Sequence, residues 1–281
     1  MRRLPIVSHT SAVIAGHVTS LSEAFQLDGA IVVRGLFSSD EVECVRQGIE
    51  RNLAEPGPMF KVASKATDPG LFVEDFCQWQ RIEQFRDIAY GSKAADVAAA
   101  LMGGREVRLF HDHVLVKEPG TLQQTPWHQD QPYYNVDGWM NCSMWMPVDP
   151  VPMESTLEFL AGSHRGGWLM PRTFLDKQAK WFPEGTMSEV PDIEADRDAY
   201  RILGWALEPG DAVFFHMLTL HHSYGVPGQG RRRAFSLRFL GDDMVHAPRD
   251  WPTSPQFDGL EAEIPAGAPM NHDLFPVLRA T

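Results

Sequence analysis

The 281-residue sequence contains only three cysteines, Cys44, Cys77 and Cys142. An odd number without metal-like spacing argues against a disulfide framework or a zinc knuckle and favours a reducing, cytoplasmic setting. No stretch approaches the roughly 18–20 consecutive apolar residues of a membrane span. The opening residues, with Arg2, Arg3, Pro5, Ser8, His9 and Thr10, lack the apolar core of a secretory signal. Positive charge is scarce: 25 Lys and Arg face 37 Asp and Glu, for a net charge of −12. A field of that sign repels phosphate backbones and anionic lipid, so neither nucleic acid nor a membrane surface is an expected partner. No repeat period or low-complexity tract appears either, which predicts a single domain over residues 1–281 and leaves oligomeric state open.

What is present suits a packed, β-rich domain. Hydrophobic residues make up 43% of the chain, with 16 Phe and 8 Trp. A support region is expected over about 1–104. In it, Asp28–Phe37 reads as a strand, and the helix after it starts at a capping box from Ser38 to Glu41. Val42, Val45, Ile49 and Leu53 share one face of that helix. A second helix is expected near Ile82–Met102, ending at Gly103-Gly104. From about 105 to 245 the texture changes to short strand-like runs: RLFHDHVLVK, SMWMPV, TLEFLAG, AVFFHMLTLHHS and RRAFSLRF. Turn sequences such as Glu118-Pro119-Gly120 and Glu208-Pro209-Gly210-Asp211 separate them, the spacing of a jelly-roll or cupin-like barrel. The charged insert from about Gly166 to Ala199 reads as a lid or covering loop, and the Pro-rich tail over about 246–281 as a surface wrap.

The segment Trp127-His128-Gln129-Asp130 carries the most chemistry. On an extended strand, residues i and i+2 project to one face, so His128 and Asp130 can reach one ion together. A third ligand must come from elsewhere, and His221 in TLHHS is the candidate. Two imidazoles and one carboxylate form the facial triad of non-haem Fe(II) sites, which leaves positions open for a co-substrate and O2. An H-x-D triplet alone is weak in a chain with 11 His. Its context adds weight: the Gly210-Asp211 turn, the strand after it, LHHS, and an arginine cluster at 231–233.

An oxygenase of this kind must also hold a dicarboxylic 2-oxo acid, whose far carboxylate calls for a two-pronged cation, and Arg suits that role better than Lys. Alternation along RRRAFSLRF places Arg231, Arg233, Phe235, Leu237 and Phe239 on one face and Arg232, Ala234, Ser236 and Arg238 on the other. The Phe-Leu-Phe face packs, so Arg232 points into the barrel. Ser223, at the parity of His221, can donate a hydroxyl to the same carboxylate.

These residues resemble the phytanoyl-CoA dioxygenase family of Fe(II)/2-oxoglutarate-dependent oxygenases. The resemblance covers most of the chain: DGAIVVRGLFSSDEV, the VKEPG turn at Val116–Gly120, WHQD, the strand around Trp145 with Asp149 after it, LAGSH at Leu160–His164, and PGDAVFFHMLTLHHS through RRRAFSLRF. The family's distal pattern of His, Ser two residues on and Arg eleven residues on fits His221, Ser223 and Arg232, and does not fit His222. The resemblance implies a mainly β fold, a double-stranded β-helix with flanking helices. It also implies Fe(II) held by His128, Asp130 and His221 and 2-oxoglutarate held by Arg232 and Ser223. Trp145 then flanks the co-substrate, and His113, four residues before Lys117, lines the cavity beside it. A departure stands at Ser155-Thr156, where the family has Asn-Gly. Related halogenases carry a small residue at the carboxylate position, so Asp130 favours hydroxylation.

The leading expectation is hydroxylation of a small molecule driven by oxidative decarboxylation of 2-oxoglutarate. The rivals are a cupin-like barrel that binds a metal or small ligand without turnover, and a zinc hydrolase, in which Arg232 would serve no purpose. Arg238 and Lys117 are candidate receivers for an anionic substrate group. Trp127, Tyr133, Tyr134 and Trp139 are candidate apolar walls.

Overall fold

The computed structural model describes residues 18–172, 182–226, 228 and 230–280. The opening segment and the centre of the expected lid, 173–181, lie outside the described residues. Helix α1 (Val18–Asp28) leads into strand β1 (Ala30–Val33), and α2 (Ser39–Ala54) follows. The hairpin of β2 (Lys61–Val62) and β3 (Phe72–Phe76) precedes α3 (Glu83–Gly91) and α4 (Ala94–Met102). Next come β4 (Glu106–Lys117), β5 (Thr125–His128), β6 (Val136–Asp137), β7 (Asn141–Pro147) and β8 (Leu157–Leu160). They are followed by β9 (Ile202–Gly204), β10 (Ala212–Phe215), β11 (His221–Ser223), β12 (Arg232–Leu240) and β13 (Val245–His246). Helix α5 (Leu260–Glu263) and β14 (Val277–Ala280) lie in the tail.

The strands form the expected double-stranded β-helix. A large sheet runs β1-β10-β7-β12-β4-β3-β2, with β14 paired to β4, and it faces a smaller sheet ordered β5-β11-β8-β9. Its spine is the antiparallel pairing of β12 with β4, from Arg232 opposite Lys117 to Leu240 opposite Arg108. Phe235, Leu237 and Phe239 pack outward against the helices, with Val45, Ile49, Phe85 and Leu101 in the same core. The Phe85 and Phe235 rings stack at 4.4 Å. Between the sheets a second core forms from Val32, Trp145, Phe159, Val213 and Phe215. A bulge at Phe110 resets the parity of β4: Arg238 pairs with His111, but Phe239 pairs with Leu109. Val107 and Leu109 therefore face the helices, while His113 and Lys117 face the cavity.

The Ser38–Glu41 capping box is present, and Val42, Val45 and Ile49 are buried. Other elements differ from the sequence reading. The strand expected from Asp28 begins only at Ala30, because Asp28 ends α1 and Gly29 turns the chain at φ +79°. The helix expected over Ile82–Met102 is two helices. Ser92 takes an extended conformation and its hydroxyl donates to the Ile88 carbonyl at 2.7 Å, closing α3 before α4 begins. The second helix does end at left-handed Gly103. The tail is more than a wrap: Leu260, Ile264, Met270 and Phe275 form a third core with Phe110, Tyr133 and Tyr134. The turn at Asp211 earns its acid, since its carboxylate accepts from the Gly35 amide at 2.9 Å and the Arg34 guanidinium at 2.7 Å and so ties β1 to β10.

Phe235 bridges the spine and the helical layer, so Phe235→Ala should cost about 3–5 kcal/mol of stability. The check is the denaturation midpoint in urea, with the unfolding slope unchanged.

Candidate functional site

The two imidazoles of the metal-ligand candidate come from neighbouring strands of the smaller sheet. In the β5–β11 ladder His128 lies directly opposite His221. The third member arrives by a route the sequence reading did not foresee. β5 ends at His128, and Asp130 sits in a helical conformation at the start of a 3-10 turn. The Asp130 and Gln131 amides both donate to the Met217 carbonyl, at 2.8 and 3.1 Å, and this pins the turn. The carboxylate reaches the imidazoles because the chain bends there, not because i and i+2 share a strand face.

Each imidazole Nδ1 meets a backbone carbonyl, His128 with Pro126 at 2.8 Å and His221 with Thr219 at 2.9 Å. A carbonyl only accepts, so both Nδ1 atoms carry a proton, and the Nε2 atoms are the ones turned toward Asp130 and able to serve a metal. Those Nε2 atoms lie 3.5 and 3.7 Å from Asp130 Oδ1. The donor atoms of the three residues lie within 4.8 Å of one another, a set able to hold a metal ion. The other carboxylate oxygen is taken: it accepts from Arg238 Nε at 3.1 Å and the Ser143 hydroxyl at 3.3 Å. Burial alone would raise the Asp130 carboxyl, but the Arg238 guanidinium beside it outweighs this and holds the group well below the usual carboxylate range. Burial, then His128, pushes His221 down to about 3, so it is neutral as a ligand must be.

His222 points to the opposite face of β11, where its Nε2 meets Glu158 at 2.6 Å and its ring lies 4.1 Å from Trp127. Trp127 donates to Glu194, and Nη2 of Arg197 donates to both Glu158 oxygens, at 2.8 and 2.9 Å. Glu194 and Arg197 thus fasten the end of the Gly166–Ala199 insert to the outside of the smaller sheet, while Leu169 and Arg172 at its start bond to Gln129 and Tyr133.

A cavity of about 410 Å³ opens between the sheets beside the trio. Two buried cations stand in its wall. Arg232 donates to the Ser223 hydroxyl at 3.2 Å, and Lys117, directly opposite it across the strands, donates to the same hydroxyl at 3.3 Å. Lys117 also donates to the Gln123 and Tyr224 carbonyls, at 2.9 and 3.1 Å, and Arg232 to the Ser155 carbonyl. Among the described residues neither cation makes an ion pair. Burial alone takes Arg232 down to about 10, and burial with Arg232 beside it takes Lys117 well below the ordinary lysine range. The Arg232 guanidinium lies 6.0 Å from the Trp145 ring. Two adjacent cations out of water, around one hydroxyl, make a site that could receive a carboxylate.

His113 also lines the cavity, with Nε2 at 3.0 Å from Glu74 and its ring stacked 3.9 Å from Phe76. Of the candidate apolar walls, Tyr133 and Tyr134 line the cavity. Trp127 is on the outer face, and Trp139, 41% exposed, packs on His216. Arg238, a candidate receiver for a substrate anion, lines the cavity and pairs through Nε with Asp130. The sequence reading did not find Glu74 and Lys61, which line the cavity from the β2–β3 hairpin. The faint signal was an acidic pair inside the apolar run FVEDF.

The fold and the site together define a double-stranded β-helix protein with a buried His-Asp-His trio able to hold a metal. The sequence profile described as Phytanoyl-CoA dioxygenase (PhyH) matches residues 25–234, and the chain belongs to that family. It is similar to the ectoine dioxygenase of Stutzerimonas stutzeri (strain A1501), 26% identical over 259 residues, covering 87% of this chain and 84% of that protein. It is also similar to the peroxisomal phytanoyl-CoA dioxygenase of Rattus norvegicus, 23% identical over 244 residues, covering 79% and 68%. The fold is shared with the non-heme alpha ketoglutarate dependent epimerase SnoN from nogalamycin biosynthesis: TM-score 0.72, 21% identity, covering 93% of this chain and 98% of that one. EctD from S. alaskensis, solved with 2-oxoglutarate and 5-hydroxyectoine, shares it at TM-score 0.65 and 21% identity, covering 99% and 93%. Among the described residues no helix is long and apolar enough to cross a membrane.

Partners that orient a metal ligand commonly contribute 10–100-fold to metal affinity. Arg238→Gln should therefore weaken Mn(II) binding by about that factor. His221→Ala should abolish it, and His222→Ala should leave it within about twofold. Calorimetric titration of each metal-free variant with Mn(II) is the check.

Proposed function

We propose that the protein is a single-domain Fe(II)- and 2-oxoglutarate-dependent dioxygenase that hydroxylates a small organic molecule. The overall reaction converts substrate C–H, O2 and 2-oxoglutarate into substrate C–OH, succinate and CO2. The observation that carries this reading is the pairing of a His-Asp-His donor set with a second receptor, Arg232 and Lys117 around Ser223, in one cavity. A protein that only bound a metal would have no use for two buried, unneutralised cations.

His128, Asp130 and His221 hold the iron, whose role when bound is to supply the redox chemistry that activates O2. The protein supplies position. Arg232 and Ser223 take the far carboxylate of 2-oxoglutarate, Lys117 adds a second charge to it, and Trp145 and His113 wall the space it fills. Arg238 and Ser143 hold Asp130 by one oxygen and leave the other for the metal. Phe215, Leu157 and the two tyrosines keep water from the reacting centre. The relatives support this reading, since SnoN has been solved in complex with Fe3+ and alpha ketoglutarate, and EctD with 2-oxoglutarate. The three cysteines are free thiols, which supports a cytoplasmic setting.

Succinate release over a panel of small molecules, with Fe(II), 2-oxoglutarate and O2, tests the reading. No succinate with any of them, alongside intact metal binding, would favour a binding protein. A hydrogen bond to a charged group is worth roughly 1.5–3 kcal/mol, so Arg232→Ala should raise the 2-oxoglutarate half-saturation about ten- to more than a hundredfold. Arg233→Ala should change it little, because Arg233 pairs on the outer face with Asp149 and Glu50.

A further inference from the structure

The cavity holds a second polar cluster that metal and co-substrate binding leave unused. Across the large sheet, Arg238 and Ser143, on β12 and β7, support Asp130, and Arg232 stands on β12. The other polar groups sit further along, where the sheet continues through β4 to β3 and β2. There Glu74 accepts from Lys61 at 3.1 Å through one oxygen and meets His113 Nε2 at 3.0 Å through the other. Glu74 is 7% exposed, whereas the Lys61 side chain is 47% exposed and lies 4.7 Å from the Phe76 ring, at the cavity mouth. Burial would raise the Glu74 carboxyl, but His113 and Lys61 outweigh it and bring it to about 2, so it stays ionised. Burial, above all, lowers its partner His113 toward the neutral form, which donates its Nε2–H in a hydrogen bond to Glu74. His113 Nδ1 is then a lone-pair acceptor, and it is buried without a partner among the described residues.

A charge inventory narrows what can bind there. The cations lining the cavity are Lys61, Lys117, Arg232 and Arg238, and the carboxylates are Glu74 and Asp130. Arg238 is matched by Asp130 and Lys61 by Glu74, while the far carboxylate of 2-oxoglutarate takes Arg232 and Lys117. At this end of the cavity an anionic substrate would face Glu74, whose neighbouring cation, Lys61, already pairs with it. A cationic substrate would compete with Lys61 for a carboxylate already matched. What remains unmet is acceptor capacity: spare lone pairs on both Glu74 oxygens and Nδ1 of His113, beside the faces of Phe72 and Phe76.

Resting on the dioxygenase reading above, we propose that Glu74 and His113 form the substrate-recognition subsite, and that it takes an uncharged molecule with hydroxyl or amide N–H donors on an apolar ring or chain. Lys61 is the specificity gate: it neutralises Glu74 and turns away amines.

Four probes with one body and different head groups test this: cis-cyclohexane-1,2-diol, cyclohexanecarboxylate, cyclohexyl phosphate and cyclohexylammonium. Binding is read by ligand-observed NMR on full-length protein loaded with Mn(II) and 2-oxoglutarate under argon, where no turnover occurs. The diol should bind more tightly than the three charged probes. Glu74→Gln and His113→Phe should each weaken it at least fivefold, and Glu74→Gln should leave the 2-oxoglutarate dissociation constant within twofold. Lys61→Met, which leaves Glu74 unmatched, should gain at least tenfold in affinity for cyclohexylammonium, a change that misfolding cannot produce. Equal or tighter binding of a charged probe to the parent protein, no binding of the diol, unaltered diol affinity in both variants, or no gain in Lys61→Met would overturn the subsite. Failure of the parent protein to bind 2-oxoglutarate would instead overturn the dioxygenase reading.

Discussion

Placing a guanidinium and an ammonium side by side out of water is unfavourable twice over, through lost hydration and through mutual repulsion. In this protein Arg232 and Lys117 stand in that position, and the spine of the large sheet puts them there: β12 and β4 pair in a register that sets one opposite the other. A ligand carrying negative charge relieves the conflict and keeps the proton on Lys117. The register that stacks Phe235 on Phe85 outside is therefore the register that presents a charged receptor inside, and packing cannot slip by one residue without destroying the site. The same strand carries Arg238 six residues on, so one element supports both ends of the reacting space.

How much of this was legible in the sequence depended on whether neighbours in the chain were neighbours in space. The alternation in RRRAFSLRF separated Arg232 from Arg233 because a paired strand obeys its parity strictly. The capping box at Ser38 was equally local. His128, Asp130 and His221 could be named together, but the reason given for Asp130 was not the one the structure uses, since a backbone turn held by the Met217 carbonyl replaces strand geometry. The break between α3 and α4 escaped although Gly91 and Ser92, both weak helix formers, stand at it.

Residues whose roles depend on distant pairing were the least legible. Glu74 meets His113 only because β3 adds to the edge of β4. Trp127 lies beside the metal ligands in sequence yet outside the barrel, because the residue before a strand ligand projects to the other face. The tail's Pro-rich texture hid the apolar residues at Leu260, Ile264, Met270 and Phe275 that close one end of the molecule. Ser254 brings that tail to the cavity wall itself, so the far end of the chain takes part in shaping the space.

The direct cross-strand pairing of His128 with His221 has a mechanical side. β5 and β11 are short, and their ladder shifts register between His221 and Ser223, so backbone hydrogen bonds alone join these two distant stretches weakly. An ion gripped by both imidazoles acts as a rivet through that seam, and any ligand that binds only the folded state raises stability by mass action. The protein's resistance to heat and proteases is thereby coupled to metal supply.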